Sequence, residues 1–514
     1  MRDRNGAAGS LESSGGAGKL AGLLSQGLWS LLVFIGLYCI LSMLVRLALP
    51  NALTLDEAEQ SLFSQYWLLG YGPQPPFFNW VQNAVVSVFG ISLFALVLPK
   101  FAMLFLAYTF FGLAVRELGH RPGFVAVATL SLLTLPQVSY MPQQDLTHTV
   151  AVLMATALFL YGLFRILMRP DLLGYLILGF AAGIGTISKY NFVLLPAATF
   201  IAVLADREWR ERLLDPRILL TALAGLIVVL PHGLWLLGNL DLASAGTIGK
   251  MVEANAPQGM TRIIRALGSL ALACIAFGAL AVIIFGIAFK GQFKRSLVTG
   301  TQVTRLLGRI MLVSLLGVVV VILVAGTTKI TERWLDPYLL VFPLYLLLKL
   351  DHAGADVGGS LKRLVPVFLI IMAITLLPLA GKTVTGELTG SYTRINYPFA
   401  AAADILKTEG QPALIVAAGM HLAGNMRMQF PDVSVIDADQ VIAGFPSREA
   451  MKAPVLAVWY DNGSTGSEPL PINLSQVEAL GLAPGRAKTL ALPFSFGDGK
   501  TELRLGYAWL GAAP

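Results

Sequence analysis

The sequence contains few charged residues for its length. Of 514 residues, only 13% are Asp, Glu, Lys or Arg, whereas 56% are hydrophobic. A soluble globular protein carries about 25% charged residues. Together with repeated apolar runs of about 20 residues, this scarcity excludes a soluble globular protein and predicts a polytopic α-helical membrane protein.

Cysteine and histidine are also scarce, and this limits the chemistry that the chain can perform. The only two cysteines, Cys39 and Cys274, both fall inside apolar runs, so the sequence offers no disulfide framework. The five histidines show no metal-ligand spacing, and no glycine-rich phosphate loop follows a strand. We therefore expect no metal site and no cofactor, with a divalent metal as the open alternative.

Apolar runs separated by charged breaks predict about eleven or more membrane spans. Lys and Arg concentrate in alternate connections, which by the positive-inside rule face the cytoplasm. The N-terminus is then inside and the tail outside. The net charge of +7 reflects this orientation, so we expect no nucleic-acid partner. The predicted spans are residues 28–49, 93–115, 122–138, 147–168, 172–188, 191–205, 218–238, 266–289, 308–326, 336–350 and 364–381.

Composition divides the chain into three parts. Residues 1–27, rich in Gly and Ser, are predicted to form a disordered cytoplasmic N-terminus. Residues 28–381 contain the spans. In residues 382–514 the stretches PALIVAAG, VSVIDAD and APVLAVWY are typical of short strands, and a helical stretch runs from about His421 to Phe430. We predict a small extracytoplasmic α/β domain there.

The first outer connection begins with the acidic stretch LTLDEAEQ. Thr54 and Glu57 form a capping-box pattern, and the apolar side chains that follow predict an amphipathic helix over residues 54–70 on the outer membrane surface. The segment YGPQPPFFNW turns the chain, and a second interfacial helix is predicted over residues 77–89. Capping and the helix dipole explain Glu57 well and Asp56 only in part.

Ionisable and polar residues recur on the same outer face in loops that are distant in sequence. Such residues cost a few kcal/mol each at membrane depth unless they are paired or hydrated, so a functional cavity is the default hypothesis. Structural alternatives exist: Asp145 as an N-cap, Lys189 extending to the headgroups, and Glu332 with Arg333 as ordinary charges at the rim of the bundle. The residues are Asp145, His148, Lys189, Tyr190, Lys329, Glu332, Arg333, Asp336 and Tyr338.

The order of these motifs resembles a known family. An acidic cluster after the first span is followed by PQPPFFNW, QQD, an SK hairpin and ERWLDPY. This order resembles the membrane glycosyltransferases of the C superfamily, of the glycosyltransferase 39/83 type. That type includes protein O-mannosyltransferases and the aminoarabinose transferase of lipid A. The first loop is most similar in form to bacterial lipopolysaccharide galacturonosyltransferases, and the resemblance covers about residues 28–350.

The resemblance implies a function in the bacterial inner membrane. A sugar on a polyprenyl phosphate would be transferred, with inversion, to a glycolipid such as the lipopolysaccharide core or lipid A at the periplasmic face. The expected partners are this donor, the glycolipid acceptor and the bilayer, and the protein is expected to be a monomer. The alternatives are a protein O-mannosyltransferase and a transporter or flippase for lipid or sugar.

The resemblance also assigns roles to individual residues. Asp56 would act as general base on the acceptor hydroxyl, and Asp145 would orient the acceptor or assist the base. Lys329, Arg333 and Lys189 would neutralise the phosphate leaving group. The substrate cavity is expected to include Glu57, Tyr71, Gln74, Asn79, His148, Tyr190, Glu332 and Tyr338.

Overall fold

The chain folds into a helical bundle that continues into a smaller mixed sheet. The computed structural model describes residues 16–243, 258–439, 454–461, 482–484 and 486–512. Residues 1–15 of the predicted disordered N-terminus lie outside the described residues. Gly16–Leu24, which we expected to be disordered as well, form a helix whose Ala21 and Leu24 are buried.

The helices are labelled in chain order. The first nine are α1 (Gly16–Leu24), α2 (Leu28–Leu47), α3 (Leu55–Phe63), α4 (Phe77–Phe89), α5 (Leu93–Glu117), α6 (Pro122–Leu130), α7 (Pro136–Ser139), α8 (Met141–Gln144) and α9 (His148–Met168). They are followed by α10 (Leu172–Thr186), α11 (Leu194–Leu204), α12 (Glu211–Leu214), α13 (Ile218–Gly238), α14 (Gly259–Val298), α15 (Gln302–Val324) and α16 (Asp336–Leu339). The last are α17 (Phe342–His352), α18 (Leu361–Val384), α19 (Gly386–Thr389), α20 (Phe399–Glu409) and α21 (Met420–Gln429).

The structure supports a protein that crosses the membrane several times. Among the described residues, seven helices are long and apolar enough to span a bilayer, namely α2, α5, α9, α13, α14, α15 and α18. Each of them overlaps a predicted span. The other four predicted spans correspond to shorter or bent helices, so the number eleven stays a prediction.

The predicted span at residues 122–138 is bent rather than straight. Its two arms, Pro122–Thr134 and Pro136–Gln144, meet at an angle of 86°. The bend falls at Leu135, which has an extended backbone and precedes Pro136. A proline disfavours the helical conformation of the residue before it, and this explains the break. The second arm ends directly before Asp145.

The first outer connection forms two helices, and the first is shorter than predicted. Helix α3 ends at Phe63 rather than near residue 70, whereas α4 has the predicted bounds Phe77–Phe89. Six of the nine residues of α3 are buried. The helix therefore packs on protein along much of its surface, and its position at the outer membrane surface stays a prediction.

The residues after α18 form the predicted α/β domain, with more strands than expected. The strands are β1 (Leu414–Ala417), β2 (Ser434–Asp437), β3 (Val455–Tyr460), β4 (Leu482–Pro484), β5 (Lys488–Pro493) and β6 (Glu502–Ala512). The sheet order is β2-β1-β3-β6-β4, with β5 also paired to β6. Strand β1 is parallel to β2 and β3, and β6 is antiparallel to its neighbours. The strands β1, β2 and β3 and helix α21 occupy the segments that the sequence indicated.

The α/β domain shares a hydrophobic core with the first outer connection. Leu62 and Phe63 of α3 and Tyr71 of the proline-rich turn are buried together with Leu422 and Met426 of α21. Apolar burial of this kind contributes about 25 cal/mol per Å². The domain is thus fixed directly on the loop that carries the acidic cluster.

Candidate active site

Two carboxylates from distant loops meet at one end of the helix bundle. Asp56 lies in the first turn of α3, and Asp145 follows α8. The Asp145 carboxylate accepts hydrogen bonds from the Asp56 backbone amide (3.3 Å to Oδ1, 3.4 Å to Oδ2) and from the Thr54 hydroxyl (2.9 Å). In turn, Asp56 Oδ2 accepts a hydrogen bond from the Thr147 amide at 3.0 Å. Each loop fixes the other's carboxylate, and both acids stay partly exposed.

The surroundings of Asp145 change its proton affinity. Burial is the largest cause, followed by the negative charges of Asp56 and Glu57, and together they raise the pKa of Asp145 to about 7. The Lys100 charge and the hydrogen bond from Thr54 act in the opposite direction. At a given pH a larger fraction of this carboxyl group is therefore protonated than of a solvent-exposed aspartate. Shifts of this kind concentrate at functional sites.

Glu57, the neighbour of Asp56, is buried and paired with two cations. Its buried carboxylate forms a bidentate ion pair with Arg46 at 3.0 and 2.8 Å, and Lys100 Nζ lies 3.9 Å away. It also accepts the Thr54 amide at 3.0 Å, as the capping-box pattern predicts. Burial raises the pKa of Glu57, but the two cations lower it more, to about 2. We expected Glu57 in the substrate cavity, and the structure instead makes it the buried anchor of α3.

A cationic group, Lys189, contacts the first turn of α9, which follows the Asp145 loop. Lys189 Nζ donates to the Thr149 hydroxyl at 3.3 Å and to the backbone carbonyl of Arg333 at 3.4 Å. Thr149 lies two residues after Thr147, which binds Asp56. The first turn of α9 therefore connects Lys189 to the carboxylates, and the exposed Arg333 lies in the adjoining loop.

The loop that carries Arg333 contributes charges of both signs. Asp336 is fully buried, and neither carboxylate oxygen has a hydrogen-bond partner among the described residues. Lys189 and Arg333 attract it electrostatically, whereas the half-buried Glu332 repels it. Lys329 is exposed and forms no hydrogen bond or ion pair with a described residue. The structure thus brings two of the three predicted phosphate-binding cations together, Lys189 and Arg333.

Two tyrosines that we expected in the substrate cavity stabilise loops through their hydroxyl groups. The buried Tyr71 hydroxyl donates to the Tyr66 carbonyl at 2.6 Å, and the buried Tyr338 hydroxyl donates to the Asn191 carbonyl at 2.6 Å. Gln74 pairs with Tyr71 through the backbone, its side chain is half-buried, and its place in the cavity stays a prediction. The tyrosine hydroxyls are occupied by these internal hydrogen bonds, which fix the proline-rich turn and the loop before α17.

A chain of buried polar side chains lies behind Asp56. Gln60 follows Asp56 by one turn of α3 and accepts a hydrogen bond from Asn79 Nδ2 at 3.2 Å. Its own amide nitrogen lies 3.4 Å from Nε2 of His148. All three side chains are buried. Asn79 and His148, which we expected in the cavity, therefore connect α4 and α9 to α3 through a polar network.

The hairpin that carries Lys189 is fixed by its neighbours. The Tyr190 hydroxyl lies 3.1 Å from Nε2 of His232, whose Nδ1 lies 2.7 Å from the Leu69 carbonyl. The carbonyl can only accept, so Nδ1 carries the proton and Nε2 accepts from the tyrosine. The Phe77 amide also donates to the Ile187 carbonyl at 3.0 Å. Tyr190 thus joins the hairpin to α13 and to the first outer connection.

The sequence interpretation missed several partners of the acidic cluster. Arg46 and Lys100 lie inside the first and second predicted spans, and that position was a usable signal. A cation within an apolar span requires a partner or a function. Thr147 and Gln60 carried no comparable signal, because polar uncharged residues are common at helix ends and on half-buried faces.

The described residues hold no group of three His, Cys, Asp or Glu side chains that could bind a metal ion. Asp56 and Asp145 use backbone and hydroxyl donors. The expectation that the reaction proceeds without a metal stays a prediction.

Comparison with known proteins identifies the family. The chain is 48% identical over 476 residues to the lipopolysaccharide core galacturonosyltransferase RgtA of Rhizobium johnstonii, covering 92% of this chain and 95% of that protein. The chain belongs to the C superfamily of membrane glycosyltransferases. The glycosyltransferase is also 42% identical over 475 residues to RgtB of the same organism, covering 92% and 96% of the two chains. The profile of the dolichyl-phosphate-mannose-protein mannosyltransferases matches residues 73–235.

Solved structures share the fold of this glycosyltransferase. Apo ArnT from Cupriavidus metallidurans superposes with a TM-score of 0.60 at 12% identity, covering 94% of this chain and 98% of ArnT. ArnT bound to undecaprenyl phosphate superposes with a TM-score of 0.58, covering 94% and 99%. The family resemblance inferred from the motif order is confirmed.

Proposed function

We propose that this glycosyltransferase moves a sugar, with inversion, from a polyprenyl-phosphate donor to the lipopolysaccharide core at the periplasmic face. One observation carries the proposal. The carboxylates of Asp56 and Asp145 lie at the same end of the bundle as the cations of Lys189 and Arg333. An inverting displacement needs a base beside the nucleophile and positive charge beside the leaving phosphate, and this end of the protein offers both.

Asp56 is the general base in this mechanism. Its Oδ2 is held by Thr147, whereas Oδ1 has no hydrogen-bond partner among the described residues. Oδ1 accepts the proton of the acceptor hydroxyl while the acceptor oxygen bonds to the anomeric carbon. The bond from that carbon to the phosphate oxygen breaks, and the electron pair leaves with the polyprenyl phosphate. Proton transfer to a positioned carboxylate contributes about 10²–10⁴-fold to the rate.

Lys189 and Arg333 bind the leaving phosphate. Lys189 Nζ donates to the Thr149 hydroxyl and to the Arg333 carbonyl, which hold its positive charge at the same end of the bundle as the carboxylates. The Arg333 guanidinium is exposed and can bind two phosphate oxygens at once. Lys329, exposed on the same loop, is a third candidate for this role.

Names of related proteins support the choice of substrates. The two relatives above 40% identity are lipopolysaccharide core galacturonosyltransferases, which favours a galacturonosyl donor and a core acceptor. The undecaprenyl phosphate bound to ArnT favours a polyprenyl carrier. The family profile matched at residues 73–235 describes transfer to protein, so a protein acceptor is the second candidate.

The distribution of charge supports the orientation. Asp56 lies in the first turn of α3 and Asp145 precedes the start of α9, whereas Arg116 and Arg165 lie in the last turns of α5 and α9, at the end that the positive-inside rule assigns to the cytoplasm. The α/β domain packs on the same end as Asp56 and is therefore periplasmic in this proposal.

Reconstitution with defined substrates tests the proposal. The purified protein is incubated with undecaprenyl-phosphate galacturonic acid and truncated lipopolysaccharide, and the products are analysed by mass spectrometry. We expect one uronic acid to be added to the core, and the same sugar to be missing from the glycolipids of a gene deletion. Unchanged glycolipids together with lost protein glycosylation would favour the second candidate. Transport of the lipid without transfer would refute both.

A further inference from the structure

The α/β domain is in backbone contact with the helix that carries Asp56. A Cβ atom placed on Gly424 of α21 would lie 2.0 Å from the Ala58 carbonyl oxygen of α3. The Ser61 hydroxyl also donates to the Gly424 carbonyl at 2.8 Å. Only glycine permits two helices to approach this closely. Helices α3 and α21 therefore form one packed unit.

Two side chains of α21 hold the backbone just before α3, the helix that carries Asp56. Asn425 Oδ1 accepts the Leu53 amide at 2.9 Å, and Nε2 of His421 lies 2.8 Å from the Leu53 carbonyl. His421 and Asn425 are four residues apart and thus share one face of the helix. Leu53 is fully buried and precedes Asp56 by three residues. Because Leu53 precedes α3, its amide and carbonyl form no hydrogen bonds within that helix. The side chains of α21 supply the hydrogen-bond partners of both groups.

The orientation of both holding side chains is fixed within the α/β domain. The Tyr460 hydroxyl lies 2.6 Å from Nδ1 of His421, so the tyrosine donates and Nε2 carries the proton given to the Leu53 carbonyl. Asn425 Nδ2 donates to the His421 carbonyl at 2.8 Å, which leaves Oδ1 directed at the Leu53 amide. Burial lowers the pKa of His421 to about 4, so the ring is neutral near pH 7.

A further contact holds the chain directly after α3. Gln65 Nε2 donates to the Val435 carbonyl at 3.0 Å, and the Val435 amide donates to Gln65 Oε1 at 2.9 Å. Val435 lies in β2, which is at the edge of the sheet. The α/β domain thus holds the connection at Leu53 and again at Gln65, while the bundle holds Asp56 through Thr147.

We propose that His421 and Asn425 are positioning residues for Asp56, so that the α/β domain sets the geometry of the catalytic carboxylate. The inference rests on the proposed function of Asp56 as the base. A base must lie within hydrogen-bond reach of the acceptor hydroxyl, and small displacements reduce the rate strongly. Loss of the hydrogen bonds from α21 to Leu53 loosens the start of α3 without removing any group that touches substrate.

The test compares Asn425→Ala with Gln429→Ala in the full-length protein. Gln429 lies on the same helix and forms no hydrogen bond with a described residue through its amide nitrogen, so it is a matched control. For Asn425→Ala we expect kcat to fall about 10–100-fold with a change of less than about threefold in the donor KM. Hydrogen exchange of residues 53–58 should accelerate about tenfold or more, because their anchoring is lost. The control should match the wild type.

A milder variant covers the case in which Asn425→Ala does not fold. Ser61→Ala removes only the hydroxyl bond to Gly424. It should accelerate exchange of residues 53–58 and lower kcat by a smaller factor, with the melting temperature kept. Wild-type exchange and kcat in the folded variants would overturn the inference. An inactive wild-type protein would refute the proposed function instead, while the exchange measurement still tests whether α21 restrains this segment.

Discussion

Asp56 and Asp145, at one end of the helix bundle, differ from the paired acids at the other end. At the end away from Asp56, Glu117 pairs with Arg169 at 2.7 Å and Asp206 pairs with Arg309 at 2.7 Å. At the other end, neither Asp56 nor Asp145 forms an ion pair within the described part of the chain. Acids that stabilise a structure are neutralised by a cation, whereas acids that accept a proton from a substrate must keep an unpaired oxygen.

Glu57 shows that this difference operates between adjacent residues. Glu57 is paired with Arg46 and Lys100, whereas the Asp56 carboxylate accepts hydrogen bonds from Thr147 alone among the described residues. On an α-helix, neighbouring residues point about 100° apart, so one side chain enters the core while the other faces the site. The two residues can therefore be separated by mutation into a catalytic and a structural role.

The largest effect is expected for Asp56→Asn. The amide cannot accept a proton in the required way, so kcat should fall by about 10²–10⁴-fold. The side-chain oxygen of the asparagine can still accept the hydrogen bond from the Thr147 amide. The melting temperature should therefore stay near that of the wild type. Transfer assays and thermal unfolding in detergent measure the two quantities. A loss of folding in proportion to activity would show that the residue serves the structure.

Glu57→Gln should give the opposite result. The variant leaves Arg46 and Lys100 buried without a charge partner, and breaking a buried pair costs about 3–5 kcal/mol. The free energy of unfolding should fall by that amount, and the activity per folded molecule should fall much less than in Asp56→Asn. Unchanged stability with lost transfer would move the catalytic role to Glu57.

A pair of exposed arginines tests whether the two ends differ in function. Arg333→Ala should lower transfer about 10–100-fold, because a cation beside the leaving phosphate is lost. Arg169→Ala is the matched control at the other end, where an exposed ion pair with Glu117 contributes about 1 kcal/mol or less. Neither truncation should lower the melting temperature by more than a few degrees. Equal activity of the two variants would remove Arg333 from the site.

The sequence carried more information about the class of the protein than about the roles of individual residues. Apolar runs predict spans because a bilayer imposes length and composition. The acidic cluster and the SK hairpin were recognisable because charge is rare in such a chain. The roles of Tyr71 and Tyr338 depended on backbone carbonyls brought near by folding, which no local pattern encodes. The contact between α21 and Leu53 joins residues more than 360 positions apart.

The smallest expected effect is a pH dependence of transfer that comes from Asp145 and distinguishes it from Asp56. Asp145 has a pKa of about 7, above the range of a carboxyl in the unfolded chain. Its contribution to stability is therefore complete below about pH 4 and is lost as pH rises through about 7. Transfer should follow the opposite course and rise as pH increases through about 7. The negative charge of the ionised Asp145, which is hydrogen-bonded to the Asp56 amide, favours movement of a proton to Asp56. Asp145→Asn should abolish this rise in a pH–rate profile, and a rate that falls through pH 7 would instead make Asp145 a proton donor.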